Sequence, residues 1–394
     1  MSGIDPNLVV SDEIIARMTP DLTQARGLPN EAFTSEEFLH LELKHLFSRT
    51  WVFAGVKSDV PKPGDVKPIE VAGRSLFMTT DRDGQTRVFH NVCPHRGARL
   101  VVEQTKQART LTCPYHAWSF SLSGELQGRP HFHGPDNHDR NSASDVCLFE
   151  VRSAAWNDWI FVNLDGQASD FETYLGPAIQ RYQDWHLGSF RVGHYQPYRF
   201  HCNWKLAIEN FFDNYHVFKV HPALIEMQND YDNRGMTIDG HHMFNYPTMA
   251  GEGRGLAVDP GGAKLPDVPG LSPEIKRQMR YCTLFPNAAM TLFPSNVQFL
   301  MFEPVTVDET VMHMWFYFVE DAADSDQHVE GREALLADWE TLNAEDIGIC
   351  QRLQQGRACD AYDGGRFSPY WDNGTVHFHH QIAQALRGIG DFAR

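Results

Sequence analysis

The chain lacks any run of 18 consecutive apolar residues, so nothing in it is long enough to span a bilayer as a helix. Basic residues are scarce. Lys and Arg number 34 against 51 Asp and Glu, a net charge of −17. This balance excludes a broad nucleic-acid or anionic-membrane surface, which needs a basic face. The first 30 residues carry Asp5, Asp12, Glu13 and Asp21 and have no apolar core segment, unlike a secretory signal. Cysteine is sparse and odd in number, with seven spread over 394 residues. Reduced thiols in a cytoplasmic protein are expected, not a disulfide framework. Internal repeats, low-complexity tracts and a dinucleotide-binding glycine fingerprint are also missing.

What is present suits a large globular chain. Apolar residues make up 42% and aromatics 12%, ample for a sizeable core in one large or two medium domains. The pattern divides into three segments. Residues 1–45 read as an arm and a helix, with Thr34 and Glu37 as its capping box. Residues 46–165 hold short β-type runs separated by turn signals such as Asp83-Gly84 and Ser123-Gly124. Residues 166–394 mix helices with longer strands. A helix is expected over 171–182, strands over 193–201, 297–305 and 311–319, a helix from Trp204 to about Lys219, a long helix over 330–355 and a short one over 378–386. Trp156 to Leu164 reads as one apolar strand. The Gly/Pro-rich stretch 250–273 is longer than an ordinary connection and reads as a lid or a disordered loop.

The first chemical constellation is Cys93-Pro94-His95-Arg96-Gly97 with Cys113-Pro114-Tyr115-His116-Ala117-Trp118. Each half offers a thiolate and an imidazole at the end of a strand. Cys93 and Cys113 can hold one iron of a [2Fe–2S] cluster, and His95 and His116 the other. A structural zinc is the alternative, but zinc ligands are usually spaced by two to four residues and here only Pro94 intervenes. The loop histidines His131, His133 and His138 lack rigid support and make poor ligands. The other five cysteines, Cys147, Cys202, Cys282, Cys350 and Cys359, are expected to pack as small apolar residues.

The second constellation begins at Asn210. On a helix Asn210, Asp213 and His216 fall three apart and share one face. His221 is five residues further, and Pro222 disfavours helical geometry there. Two imidazoles and one carboxylate form the facial triad of a non-haem Fe(II) oxygenase, with open positions for dioxygen. The carboxylate candidate is Asp346, which shares an apolar helical stripe with Trp339, Leu342, Cys350 and Leu353. A buried carboxylate is costly unless paired or metal-bound. An internal salt bridge for Asp346, and hydrogen-bonded core histidines for His216 and His221, are the plainer readings. Glu345, about 100° round the helix, is expected at the solvated margin. Asp213 can accept the second N–H of His216.

Taken together, these residues resemble the α subunit of a Rieske non-haem iron ring-hydroxylating oxygenase. The resemblance runs from Leu28 to Leu386. It implies an α+β chain: a Rieske [2Fe–2S] all-β domain and a helix-grip, START-like catalytic domain whose antiparallel sheet wraps a long helix. It also implies His216, His221 and Asp346 as ligands of a mononuclear Fe(II), with Asn210 nearby as a hydrogen-bonding group. O2 would be co-substrate, and electrons would come from NAD(P)H through a separate flavin reductase, with or without a ferredoxin. A head-to-tail homotrimer is implied, with Asp213 bridging His216 and the next subunit's His116; a small β subunit is compatible with it. Val297, Phe299, Met301, Phe302, Phe211 and Phe212 are candidate walls of a substrate pocket. Arg96, Arg99, Lys106 and Arg109 form a possible basic collar for an acidic ferredoxin.

The expected function is therefore hydroxylation of a small organic, preferably aromatic, substrate. Oxidation or demethylation of a choline- or carnitine-like quaternary amine, or of a methyl ether, is the alternative. The segment Leu353-Gln354-Gln355-Gly356 with Tyr362-Asp363-Gly364-Gly365-Arg366 resembles the quaternary-amine members, whereas Asp213-Asn214-Tyr215-His216-Val217 departs from the acidic-Cys-Tyr-His-Cys form common among them. A stand-alone Rieske ferredoxin would not need the second triad, and a zinc-stabilised binding module would be colourless where an iron–sulfur protein is red-brown.

Overall fold

The computed structural model describes residues 6–137, 139–140, 146–222, 224, 236–247 and 265–393. His138 and residues 250–264 of the candidate lid lie outside the described residues. The chain divides into two compact units. One comprises residues 47–168; the other combines 1–46 with 169–394.

The 47–168 unit is all β. Its strands are β1 (Val52–Val56), β2 (Val66–Val71), β3 (Arg74–Thr80), β4 (Thr86–His90), β5 (Leu111–Thr112), β6 (Ser119–Phe120), β7 (Leu126–Arg129), β8 (Asp139–Arg140), β9 (Glu150–Trp156) and β10 (Trp159–Asn163). Six form a sheet in the order β1-β10-β9-β4-β3-β2, and four form a second sheet in the order β5-β6-β7-β8. The single strand expected over 156–164 is instead the end of a hairpin. Trp156 pairs with Trp159, and Asn157 takes the left-handed conformation (φ 54°) that lets two residues reverse the chain.

The other unit is built on a seven-stranded antiparallel sheet. Its strands are β11 (Phe190–Phe200), β12 (Thr237–Asp239), β13 (His242–Asn245), β14 (Arg280–Leu284), β15 (Ala288–Phe293), β16 (Asn296–Thr306) and β17 (Glu309–Val319), in the order β11-β17-β16-β15-β14-β13-β12. Strands β12 to β15 escaped the sequence reading. Asn296 to Phe302 are all buried, because both faces of this central strand are covered, and a strand covered on both faces loses its polar alternation.

Helices flank this sheet. Phe171–Tyr182 has the expected limits, and Val329–Arg357 and Asn373–Arg387 extend a little beyond theirs. Near the N-terminus the cap is Ser35, not Thr34. Its hydroxyl accepts from the Phe38 N–H and donates to Glu37. The α-helix there runs Glu36–Leu41 and continues as a π-helical turn, Glu42–Leu46. The π turn contains Glu42, fully buried and ion-paired with the fully buried Lys205 at 2.8 Å. The indole Nε1–H of Trp204 donates to the same carboxylate at 2.9 Å.

Among the spare cysteines, Cys202, Cys282 and Cys350 are buried as expected, but Cys147 and Cys359 are exposed. No helix among the described residues is long and apolar enough to cross a membrane.

Candidate metal centres

The expected continuous helix from Trp204 to Lys219 does not form. The α-helix runs Trp204–Phe212, capped at its start by the Asn203 side chain, which accepts from the Lys205 N–H. It stops at Asp213, whose backbone is extended (φ −76°, ψ 114°). The Asp213 carboxylate accepts from the Tyr215 N–H at 2.7 Å, an Asx turn that competes with helical bonding. A new short helix, Val217–Val220, begins after His216 and ends at His221. Asn210, Asp213 and His216 therefore do not share one helical face. The break instead turns His216 so that its ring meets His221, with centroids 5.1 Å apart.

The long helix supplies the carboxylates. Asp346 Oδ1 lies 2.9 Å from His221 Nε2 and 3.6 Å from His216 Nε2. One ligating atom from each of His216, His221 and Asp346 falls within 4.8 Å of the others, the only such cluster among the described residues. On the far side of each ring sits another carboxylate. Asp213 is 3.3 Å from His216 Nδ1, as expected. Glu345 is 2.7 Å from His221 Nδ1, so it is a partner of the site and not merely a solvated neighbour. Both Nε2 atoms are thus left facing Asp346, the donor set a divalent iron takes, with each imidazole oriented from behind.

The electrostatics of the three residues agree. Burial pushes Asp346 up, but its bonds to His216 and His221 outweigh this and bring it down to about 2. Burial pushes His216 down, yet Asp213 and Asp346 carry it up to about 9. His221 is raised in the same way, burial again opposing. Each shift has the same cause: the Asp346 carboxylate is held between the two imidazoles, at the point where a bound cation would sit.

These residues sit in a solvent-open cleft with about 560 Å³ of empty space. Phe211, Met279, Tyr281, Trp339 and Leu342 give it apolar walls, and Asn210 and Thr291 face it as buried polar groups. Of the six candidate wall residues only Phe211 lines it. Phe212 packs against Phe378 instead. Phe302 stands behind Phe211 at 6.2 Å. Strand alternation explains the outcome for Val297, Phe299 and Met301. Thr291, which lines the cleft, pairs with Gln298, so the odd-numbered residues of β16 point to the opposite face.

In the all-β unit the two cysteine-bearing loops have the same backbone form. Gly97 N–H bonds to Cys93 O and Cys93 N–H to Ala98 O; Ala117 N–H bonds to Cys113 O and Cys113 N–H to Trp118 O. Each turn closes on a left-handed residue, Gly97 (φ 77°) and Ala117 (φ 54°). The loops bring Cys93 and Cys113 together inside an apolar cluster with Phe77, Phe89 and Phe120. Burial, together with the neighbouring Cys113 thiol, pushes the Cys93 thiol up. His95 and His116 lie with ring centroids 4.6 Å apart. Their Nδ1 atoms are buried and have no hydrogen-bond partner among the described residues. Orphaned nitrogens beside two thiols fit an iron–sulfur cluster with mixed ligation. His131 and His133 are exposed and belong to no such cluster.

Comparison with known proteins gives a consistent picture. The family described as ring hydroxylating alpha subunit (catalytic domain) matches residues 187–388, and the Rieske [2Fe-2S] domain family matches residues 50–139. The large oxygenase component of salicylate 5-hydroxylase from Ralstonia sp is 34% identical over 205 residues, a match spanning about half of each protein: 49% of this chain and 48% of the relative. The carnitine monooxygenase oxygenase subunit of Escherichia coli (strain K12) is 23% identical over 98% of this chain and 100% of its own length. Among solved structures, the quaternary ammonium Rieske monooxygenase CntA in complex with inhibitor MMV12 superposes with a TM-score of 0.77 at 21% identity, covering 95% of this chain and 98% of that one.

Proposed function

The chain belongs to the ring-hydroxylating alpha-subunit family of Rieske oxygenases, and on that premise we propose that it hydroxylates a small aromatic molecule, with Cys93, His95, Cys113 and His116 holding the cluster and His216, His221 and Asp346 the iron. The chain is an oxidoreductase, the terminal oxygenase component, and uses a Rieske [2Fe–2S] cluster, a mononuclear iron, O2 and electrons drawn from NAD(P)H through a separate reductase. When bound, the iron supplies dioxygen activation and the cluster supplies electrons.

The observation that carries the reading is the convergence of the His216, His221 and Asp346 ligating atoms at one end of an apolar, aromatic-walled cleft. The chain's own residues then have separable tasks. Asp213 and Glu345 fix the two imidazole planes from behind. Phe211, Tyr281 and Trp339 offer flat faces against which a ring can rest. Asn210 and Thr291 can orient a substrate polar group by hydrogen bonding. We further infer a cytoplasmic head-to-tail homotrimer in which Asp213 also reaches His116 of the next subunit, and a place in aromatic catabolism.

One observation favours a second reading. The described lining residues include no Lys or Arg, while three aromatic rings and two carboxylates border the cleft. That surface also suits a quaternary ammonium group, which binds aromatic faces, and the carnitine relative spans the whole chain. The test is turnover of the iron-replete protein with a surrogate reductase on neutral aromatics, aromatic acids and quaternary amines. Gain of oxygen on an aromatic supports the first reading. Loss of a methyl carbon, or oxygenation of an amine with no aromatic product, replaces it with the second.

A further inference from the structure

Trp118 follows His116 by two residues, yet its indole serves the other half of the site. It lies flat against His95, with ring centroids 4.5 Å apart and planes only 4° from parallel. The indole is 6% exposed, so it closes that side of the imidazole to water. At the end of β7, Arg129 sets its guanidinium over the Trp118 ring, 5.4 Å from the centroid. The same guanidinium is 3.9 Å from the centroid of Phe132, and Phe132 meets the indole edge-on at 5.6 Å. Imidazole, indole and guanidinium are thus joined by ring contacts, and Arg129 brings a charged group to the indole that covers His95.

We propose that Trp118 and Arg129 are positioning residues of the iron–sulfur site: Trp118 fixes the plane of His95 and excludes water from it, and Arg129 raises the reduction potential through the indole. The physical argument concerns charge. Reduction adds one electron to the cluster, delivered by the reductase, with no bond made or broken. A fixed cation nearby stabilises the more negative state, and the aromatic rings packed around it, unlike water, screen that cation weakly. Net charge and solvent exposure are both established levers on such potentials. Arginine suits the outer position because its planar, permanently charged group stacks on an aromatic face. The inference rests on the ligand assignment proposed above.

Redox titration of the cluster-loaded, full-length chain tests it, with iron and labile sulfide content and the electron paramagnetic resonance spectrum measured on each sample. For Arg129→Gln the ratio of reduced to oxidised cluster at a fixed potential is expected to fall about tenfold, which for a one-electron couple is 59 mV. Arg129→Lys, which keeps the charge, is expected to retain most of the wild-type potential. Trp118→Phe is expected to keep the cluster while shifting its spectrum, because a smaller ring holds His95 less firmly. A wild-type potential in Arg129→Gln overturns the proposal. Loss of iron and sulfide in that variant also overturns it, since the residue would then be structural. A wild-type protein that shows no mixed-ligand cluster spectrum sinks the ligand assignment instead, a separate outcome.

Discussion

The carboxylate of Glu345 lies 2.7 Å from Nδ1 of His221. Its neighbour in sequence, Asp346, lies 2.9 Å from Nε2 of the same ring. Successive residues on a helix point about 100° apart, and here that divergence lets two adjacent carboxylates grip opposite edges of one imidazole. Glu345→Ala is expected to weaken iron binding about 10- to 100-fold while leaving iron–sulfur content unchanged. Glu345→Gln, which keeps an acceptor for the ring N–H, is expected to lose less. Iron affinity measured by competition with a chelator checks both; unaltered affinity in the Ala variant would remove Glu345 from the site.

Asp213 has two bonds that separate its structural task from its orienting one. It caps the turn through the Tyr215 N–H and it faces His216 Nδ1. Asp213→Asn preserves the first and weakens the second. Turnover is expected to fall about 10- to 100-fold with little change in melting temperature. If melting temperature and turnover fall together, the residue matters mainly to the fold.

The buried ion pair of Glu42 and Lys205 is a stability element that anchors the start of the helix Trp204–Phe212, which leads into the His216 site. Burial pushes Glu42 up and Lys205 down, each opposed by its partner. Lys205→Met leaves the buried Glu42 carboxylate without a counter-charge, held only by the Trp204 N–H, and is expected to cost about 3–5 kcal/mol. Glu42→Leu added to it is expected to recover most of that loss. Denaturant melts of the two singles and the double measure the coupling directly.

Ala117 holds a left-handed conformation at the position equivalent to Gly97 in the other loop. A side chain in that region costs roughly 1–2 kcal/mol, part of which glycine returns as chain entropy. Ala117→Gly is therefore expected to stabilise the protein by about 0.5–1 kcal/mol with the cluster spectrum unchanged. A lower melting temperature would mean the methyl group contributes packing that outweighs the strain.

Acid sensitivity follows from two histidines. Burial pushes His242 down to about 4, and burial with the neighbouring His241 and His380 does the same to His377. Above about pH 6.5 both are neutral in folded and unfolded chains and contribute nothing to the pH dependence. Between about pH 6.5 and 4 the unfolded chain takes up protons that the folded one refuses. Stability then falls by roughly 1.4 kcal/mol per pH unit for each histidine. Comparing melts of the wild type and His377→Gln from pH 7.5 to 5 isolates one of them; parallel profiles would contradict the assignment.

Local chemistry was legible wherever it depends on spacing. The helix Phe171–Tyr182 has the limits that its sequence pattern gives it. The Cys93/His95 and Cys113/His116 pattern can be read from residue order alone, and the Asp346 stripe from helical periodicity as far as Cys350; Leu353, expected on the same stripe, is exposed. Chain reversal was harder to read. Asn157 and Asp158 sit inside an apolar run, and only pairing of Trp156 with Trp159 shows the hairpin. The break at Asp213 was equally hidden, because helix and Asx turn differ by one side-chain hydrogen bond, too small a margin for periodicity to register.

Sequence by itself thus determined which residue types are available for metal chemistry and that they fall into two groups. Only the tertiary structure decided how they are aimed. Asp346 meets two imidazoles more than a hundred residues earlier, Glu345 grips one of them from behind, and Trp118 stacks on the histidine of the opposite loop. These relationships are set by the packing of one element against another, and no period within a single element carries that information.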